Sequence, residues 1–315
     1  QTLTLQASSI SLAGSLALES ATNIAEATNG GGSTITLTGN GNGLTVNAAT
    51  GFTGNGSLSI TAVNGSLTGS GPLTANTLVL SAPNGSIALG LDVATLTATA
   101  GGDATLTEAS GIDLAGLTVG GNLALTANGA ITDSGTVNVT GTTTLAAGAA
   151  HAITLDGANT FAGTVGITSG RDVTLNDSGA LDLGTSTVSG NLAVTANGAI
   201  TQSGAITVAG TTSLAAGAAN AITLADAAND FEGAVTIASG LDVTLVDADE
   251  IGLGTATVSG NLAVTANGAI TQSGAITVAG TTTLAAGAAN DITLANAAND
   301  FEGAVSITSG LDVTL

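Results

Sequence analysis

The sequence contains no cysteine, methionine, tryptophan or tyrosine, and its only aromatic residues are four phenylalanines. Without cysteine there are no disulfides and no thiolate metal sites. Without Trp and Tyr, the large side chains on which globular cores lean are missing. Bases are nearly absent too: Arg171 is the single Lys or Arg, set against 22 acids, for a net charge of −21. Phosphate binding needs Lys and Arg, so nucleic acid is excluded as a partner. Attraction to anionic membranes fails on the same ground. No run of 18 apolar residues free of polar interruption occurs, so no helix is expected to enter a bilayer.

What is present is glycine, 47 residues of it, and an apolar content of 43% carried by Ala, Val, Ile and Leu. The mean hydropathy of +0.51 argues against disorder despite the charge. Branched aliphatic residues suit the pleated surface of stacked strands.

The stretch GNLAVTANGAITQSGAITVAG occurs at 190–210 and again, letter for letter, at 260–280. Phe161, Phe231 and Phe301 follow one another at intervals of 70 residues. Segments 190–245 and 260–315 superpose without a gap and differ at five positions. The copy from Gly121 is more diverged and one residue shorter before its Phe, and 101–122 matches the end of the unit at 170–191. Residues 1–100 keep the style and lose the strict period. A single continuous solenoid is expected, with degenerate coils over 1–100 and regular 70-residue repeats over 101–315.

Within the repeat the apolar residues alternate. Leu192 and Val194 fall on one side of NLAVTA, Ala193 and Thr195 on the other. Ile206 and Val208, and Leu241, Val243 and Leu245, behave alike. A period of two over four to six residues predicts half-buried strands. Asn-Gly, Ser-Gly and Gly-Gly separate the runs and are expected to supply the positive φ of tight corners. The unit then divides into coils at 190–210, 211–240 and 241–259, with a bulge at AANDFEGAV (227–235) and Phe231 covering a corner of the core. Three strands and three corners per turn predict an all-β fold: a right-handed parallel β-helix, triangular, with about three coils per 70-residue repeat. A β-sandwich fits poorly, because the unit is short and its aromatic core markers are missing.

The residues argue against an enzyme. A polysaccharide lyase needs a base, and the counterparts of Arg171 in later copies are Leu241 and Leu311. A hydrolase needs paired carboxylates, whereas Asp172 and Asp182 sit in strand patterns that place them outward in solvent. His151, the sole histidine, is replaced by Asn220 and Asp291 in later copies and reads as a surface corner residue. The serines have no histidine-based triad to join. VDADE (246–250) gathers Asp247, Asp249 and Glu250, oxygen ligands of the kind calcium prefers. Its previous copy, NDSGA (176–180), loses two of the three acids, so a solvated acidic corner is the expectation. GGGS (30–33) and GNGNG (39–43) lack a following Lys or helix and read as loops, not phosphate cradles. Threonine pairs at Thr34–Thr36 and Thr95–Thr97 suit a flat ice-binding face, but the outer positions of the regular unit vary too much to sustain one. No catalytic, cofactor-binding or metal-binding residues are assigned, and no cofactor is implied.

The stretch GNLAVTANGAITQSGAITVAGTTTLAAGAANDITL, with NDFEGAVSITSGLDVTL after it, resembles the repeats of very large bacterial exoproteins of the filamentous-haemagglutinin-like adhesin class. The resemblance runs from residue 101 to 315 and is one of style before that. It implies a β-helical shaft exported by two-partner or autotransporter secretion, with roles in adhesion, biofilm matrix or extracellular fibres. The family's secretion domain and any receptor-binding tip are absent from this sequence. The expected function is therefore a rigid extracellular spacer at the bacterial surface, with a calcium-dependent surface-layer or matrix protein as the alternative and an ice-binding or polysaccharide-binding β-helix less favoured. Both ends fall in strand-like runs, QTLTLQ at the start, and an open coil end is a template for further pairing. The expected partners are thus copies of itself, stacked end to end or continuing a longer chain, and host or matrix surfaces reached through regions not present here.

Overall fold

The computed structural model describes residues 57–315, apart from the side chains of Ser70 and Gly71, together with the backbone of Ser9–Leu12, Leu16–Leu18, Thr22–Ala25, Thr34–Gly39, Gly43–Val46 and Thr50–Thr53. QTLTLQ, GGGS and the middle of GNGNG lie outside the described residues, as do the side chains of Thr34 and Thr36. The chain comprises two compact units, 1–162 and 163–315. Each is built of parallel strands that stack coil upon coil, and the fold is an all-β right-handed parallel solenoid with no helix among the described residues. In the first unit Ala104–Glu108 pairs with residues 87–91 on one side and with Leu123–Ala127 on the other. In the second, Leu192–Ala196 lies between Val173–Asp177 and Thr212–Ala215.

Alternation decides what is inside. Leu192, Val194 and Ala196 are buried while Thr195 is exposed. Ile200, Ile222, Val243 and Leu262 stack in register over successive coils, each almost without solvent contact. Every such aliphatic contributes about 1.5–3 kcal/mol on burial, so stability is distributed along the stack. Phe161 and Phe231 belong to this interior at 2% and 1% exposure. They fill the core where a corner cover was expected, because the short strand Asp230–Phe231 forms a side of its own, stacked on Thr207 and Val208.

That short strand changes the count of coils. Residues 211–240 hold four strands, not three: Thr212–Ala215, Ile222–Leu224, Asp230–Phe231 and Val235–Gly240. Ile251–Val258 turns a corner, so that its first residues pair with Ile270–Gln272 and its last with Ile276–Val278. The repeat therefore contributes ten strand segments, one more than three full coils. In consequence the repeat advances by one side of the triangle. Leu192 belongs to the stack that runs through Thr212 and Val235, whereas its twin Leu262 belongs to the stack that runs through Ile200, Ile222 and Val243. The 21-residue motif does make one coil, since Leu192 meets Thr212 directly above it.

The glycines act mainly through close approach. Among the described residues only Gly148, Gly217 and Gly287 have positive φ, each at 80°. The Asn-Gly and Ser-Gly corners are not left-handed. A Cβ on Gly198 would lie 2.7 Å from the backbone nitrogen of Ala180, and one on Gly204 would lie 2.5 Å from that of Thr185. Corners of successive coils nest there without room for a side chain.

Candidate functional site

The polar residues singled out by sequence do not converge on one place. His151 is exposed in a turn whose amide donates to the carbonyl of Gly148 at 3.2 Å. The Arg171 guanidinium Nε pairs with Asp172 Oδ2 at 2.8 Å, in solvent. Asp172 and Asp182 lie on different sides of the coil, and Asp182 accepts from Thr164 Oγ1 at 2.8 Å and Thr201 Oγ1 at 3.3 Å. No group of three potential metal-ligating acids, histidines or cysteines occurs among the described residues.

The VDADE corner departs from its expected solvation. Asp249 and Glu250 are exposed, but Asp247 turns inward and is fully buried. Its Oδ2 accepts from the Phe231 amide of the coil below at 3.0 Å, and its Oδ1 from the Asp249 amide at 3.0 Å. Burial pushes the carboxyl up to about 6, against the pull of those two amides, with the charge of Asp249 adding to the rise. Asp177 and Glu108 hold the same place in earlier copies and are buried likewise. Asp177 accepts from the Gly179 amide at 2.6 Å. Glu108 accepts from the Val93 amide through both oxygens, at 3.2 and 3.1 Å, and from the Ser110 amide at 3.0 Å. Burial raises its carboxyl despite these bonds. The acid that NDSGA retains is thus the one that points inward. It clamps a corner.

A second polar node adjoins the clamp. Asn229, fully buried, accepts through Oδ1 from Gln202 Nε2 at 2.8 Å and from the Ile206 amide at 3.0 Å. Its Nδ2 donates to Gln202 Oε1 at 2.8 Å and to the Val246 carbonyl at 3.3 Å. Gln272 and Asn299 repeat the pair. In the more diverged copy Asp133 replaces the glutamine and accepts from Asn159 Nδ2 at 2.7 Å. The Gln202–Asn229 pair and the Asp247–Phe231 pair thus lie side by side, and Asn229 reaches the Val246 carbonyl next to Asp247 in the chain.

A third arrangement runs along an outer corner. Asp172 Oδ1 accepts from the Asn191 amide at 3.0 Å, and Asn191 Oδ1 accepts from the Thr211 amide and hydroxyl, both at 2.9 Å. Asp103, Asn122 and Thr142 make the same ladder, as do Asp242, Asn261 and Thr281. The Asn191 amide and the Arg171 partner hold the Asp172 carboxyl below its ordinary value. Sequence reasoning missed all three devices, though a signal existed: acid, amide and threonine recur at the same offsets in every copy.

A family model described as repeats of unknown function (DUF5649) matches residues 101–168, 170–238 and 240–308. The chain belongs to this repeat family. Each matched repeat holds one complete set of the features above: one Asp–Asn–Thr ladder, one buried acid, one amide node, one buried or half-buried Phe and one glycine at positive φ. No curated protein and no solved structure matches the chain. Chemically the arrangement binds coil to coil: the ladders, the amide nodes and the buried Glu108 and Asp247 each bond to a neighbouring coil.

Proposed function

We propose that this chain is a shaft segment of a secreted bacterial adhesin or extracellular filament, acting as a rigid spacer at the cell surface. The observation that carries the reading is the advance of one side per repeat. Outward residues written once per repeat are thereby distributed over all sides, which suits a strut and ill suits a single recognition face. The inward acids and amides support it, because they hold coil to coil without needing any ligand. The acidic, lysine-free surface and the likeness of 101–315 to filamentous-haemagglutinin-like repeats favour an exported protein. Its partners are then further copies or further repeats of the same chain, with attachment to host or matrix made elsewhere in the longer protein.

The test is surface exposure together with length. In the native bacterium, an epitope inserted in the exposed turn at His151 should be reached by antibody on intact cells. Removing residues 190–259 from the full-length protein should shorten the surface fibre while its folding persists. An epitope detected only after lysis would sink the proposal.

A further inference from the structure

Outside the matched repeats, one side of the first unit carries a feature the spacer reading does not use. Strand Ser57–Ala62, residues 77–82 and residues 95–100 stack in register, so that Ser57, Thr77 and Thr95 form one column. Ser59, Val79 and Thr97 form the next, and Thr61, Ser81 and Thr99 the third. The intervening residues Leu58, Ile60, Leu78, Leu80, Leu96 and Ala98 are buried, which turns all nine outward. The backbone register extends the columns to Thr34, Thr36 and Thr38 in the coil below. The two threonine pairs that lie 61 residues apart in sequence thus share one side, in coils that precede the regular repeats whose outer positions vary. On the other flank the array ends, since Asp113 stacks on Thr95 and Gly116 on Thr97.

Two properties set this side apart. It carries no acid in a protein with 22 of them. Its hydroxyls at Ser59, Thr61, Thr77, Ser81, Thr95, Thr97 and Thr99 make no hydrogen bond to other described residues. The outer corner next to it behaves oppositely, because Asp103, Asn122 and Thr142 satisfy one another there.

We propose that this side binds ice. Alternate residues along a strand stand about 6.6 Å apart and neighbouring coils about 4.8 Å apart, a rectangular net in the range of oxygen spacings on the prism faces of hexagonal ice. The β-branched Thr61, Thr77, Val79, Thr95, Thr97 and Thr99 have restricted χ1, so their methyl groups are held in rank. Water ordered between such ranks is already placed to join a crystal lattice. A charged surface would instead keep its own hydration shell. Carbohydrate is the weaker occupant, since the chain has no Trp or Tyr to stack on sugar rings.

The experiment measures ice shaping, thermal hysteresis and recrystallisation inhibition by the whole chain. Wild type should shape growing crystals and suppress recrystallisation at micromolar concentration. Thr97→Glu, in the middle column of the array's last coil, should lower the activity at least fivefold. Thr195→Glu, an equally outward change in a repeat, should leave it unchanged, and circular dichroism melting should show both variants folded. Absence of ice shaping by wild type would overturn the proposal. So would equal losses in the two variants, or adsorption to crystalline polysaccharide without any effect on ice.

Discussion

Thr143, Thr212 and Thr282 hold the same place in successive repeats, each buried with a hydroxyl that meets no partner in the protein. Thr212 stacks between Leu192 and Val235, where only apolar contact is on offer. Leaving a hydroxyl desolvated costs about 1–3 kcal/mol, and valine has nearly the same shape. Thr212→Val should therefore raise stability by about 1 kcal/mol in denaturant melts, and Thr212→Val with Thr282→Val should add, because distant sites are independent. An unchanged or lowered midpoint would show that the hydroxyl is satisfied after all. Glycines allow the converse test. Gly198→Ala would set a Cβ 2.7 Å from the Ala180 backbone nitrogen and should cost about 1–3 kcal/mol through overpacking. Gly217→Ala meets only Asn220 Nδ2, at an ordinary contact distance of 3.8 Å, and should cost only about 1–2 kcal/mol for its left-handed φ.

At the scale of the strand and its corner, the buried acids are the sensitive points. Asp247 joins Val243–Asp247 to Asp230–Phe231 by accepting from amides on both sides of the turn. Asp247→Ala strands the buried Phe231 N–H at about 1–3 kcal/mol and releases the half-buried Asp249 N–H to water. Asp247→Asn should also destabilise, because an amide keeps only one acceptor oxygen. The pH response follows from linkage. The carboxyl titrates near 3.8 when unfolded and at about 6 when folded, so the folded state holds its proton longer. The stability this group confers is full below about pH 4 and is lost as pH rises through about 6. Glu108, raised in the same sense, acts in the same direction. Asp172, lowered, acts the other way: its contribution is present above its unfolded value and is lost on further acidification. Melting temperature should thus rise from pH 7 to about pH 5, and Asp247→Ala should flatten that rise. A melting temperature that fell steadily across this range would contradict the burial of Asp247.

For the repeat array as a whole, the advance of one side per repeat is the property to measure. Thr195 and Thr265 are equivalent in sequence and exposed, yet they stand in different stacks. Thr277 is further along the chain but shares a stack with Thr195 through the strands Thr212–Ala215, Val235–Gly240 and Ile251–Val258. Spin labels at 195 and 277 should lie about 19 Å apart, four coil spacings on one side. Labels at 195 and 265 should give a distance that includes the breadth of the coil. Equal orientation of 195 and 265 would restore a repeat of three whole coils. The net charge of −21 acts at this scale as well: self-repulsion eases on acidification and adds to the trend set by Asp247.

Period-two alternation, the 70-residue recurrence and the lack of bulky aromatics were enough to determine a parallel solenoid, because side-chain direction in a strand is set locally. The exposed corner place of His151 was legible because the sequence offers it no partner His or Cys. Three things were decided only by tertiary structure. The coil count turned on Asp230–Phe231, a strand of two residues too short for any periodic signal. The inward turn of Asp247 depended on amides of another coil, which composition cannot reveal. The glycine corners looked like left-handed turns, but what demands glycine there is the backbone of the coil below. A sequence states which way each side chain alternates; only stacking states which residue, some twenty positions away, it will meet.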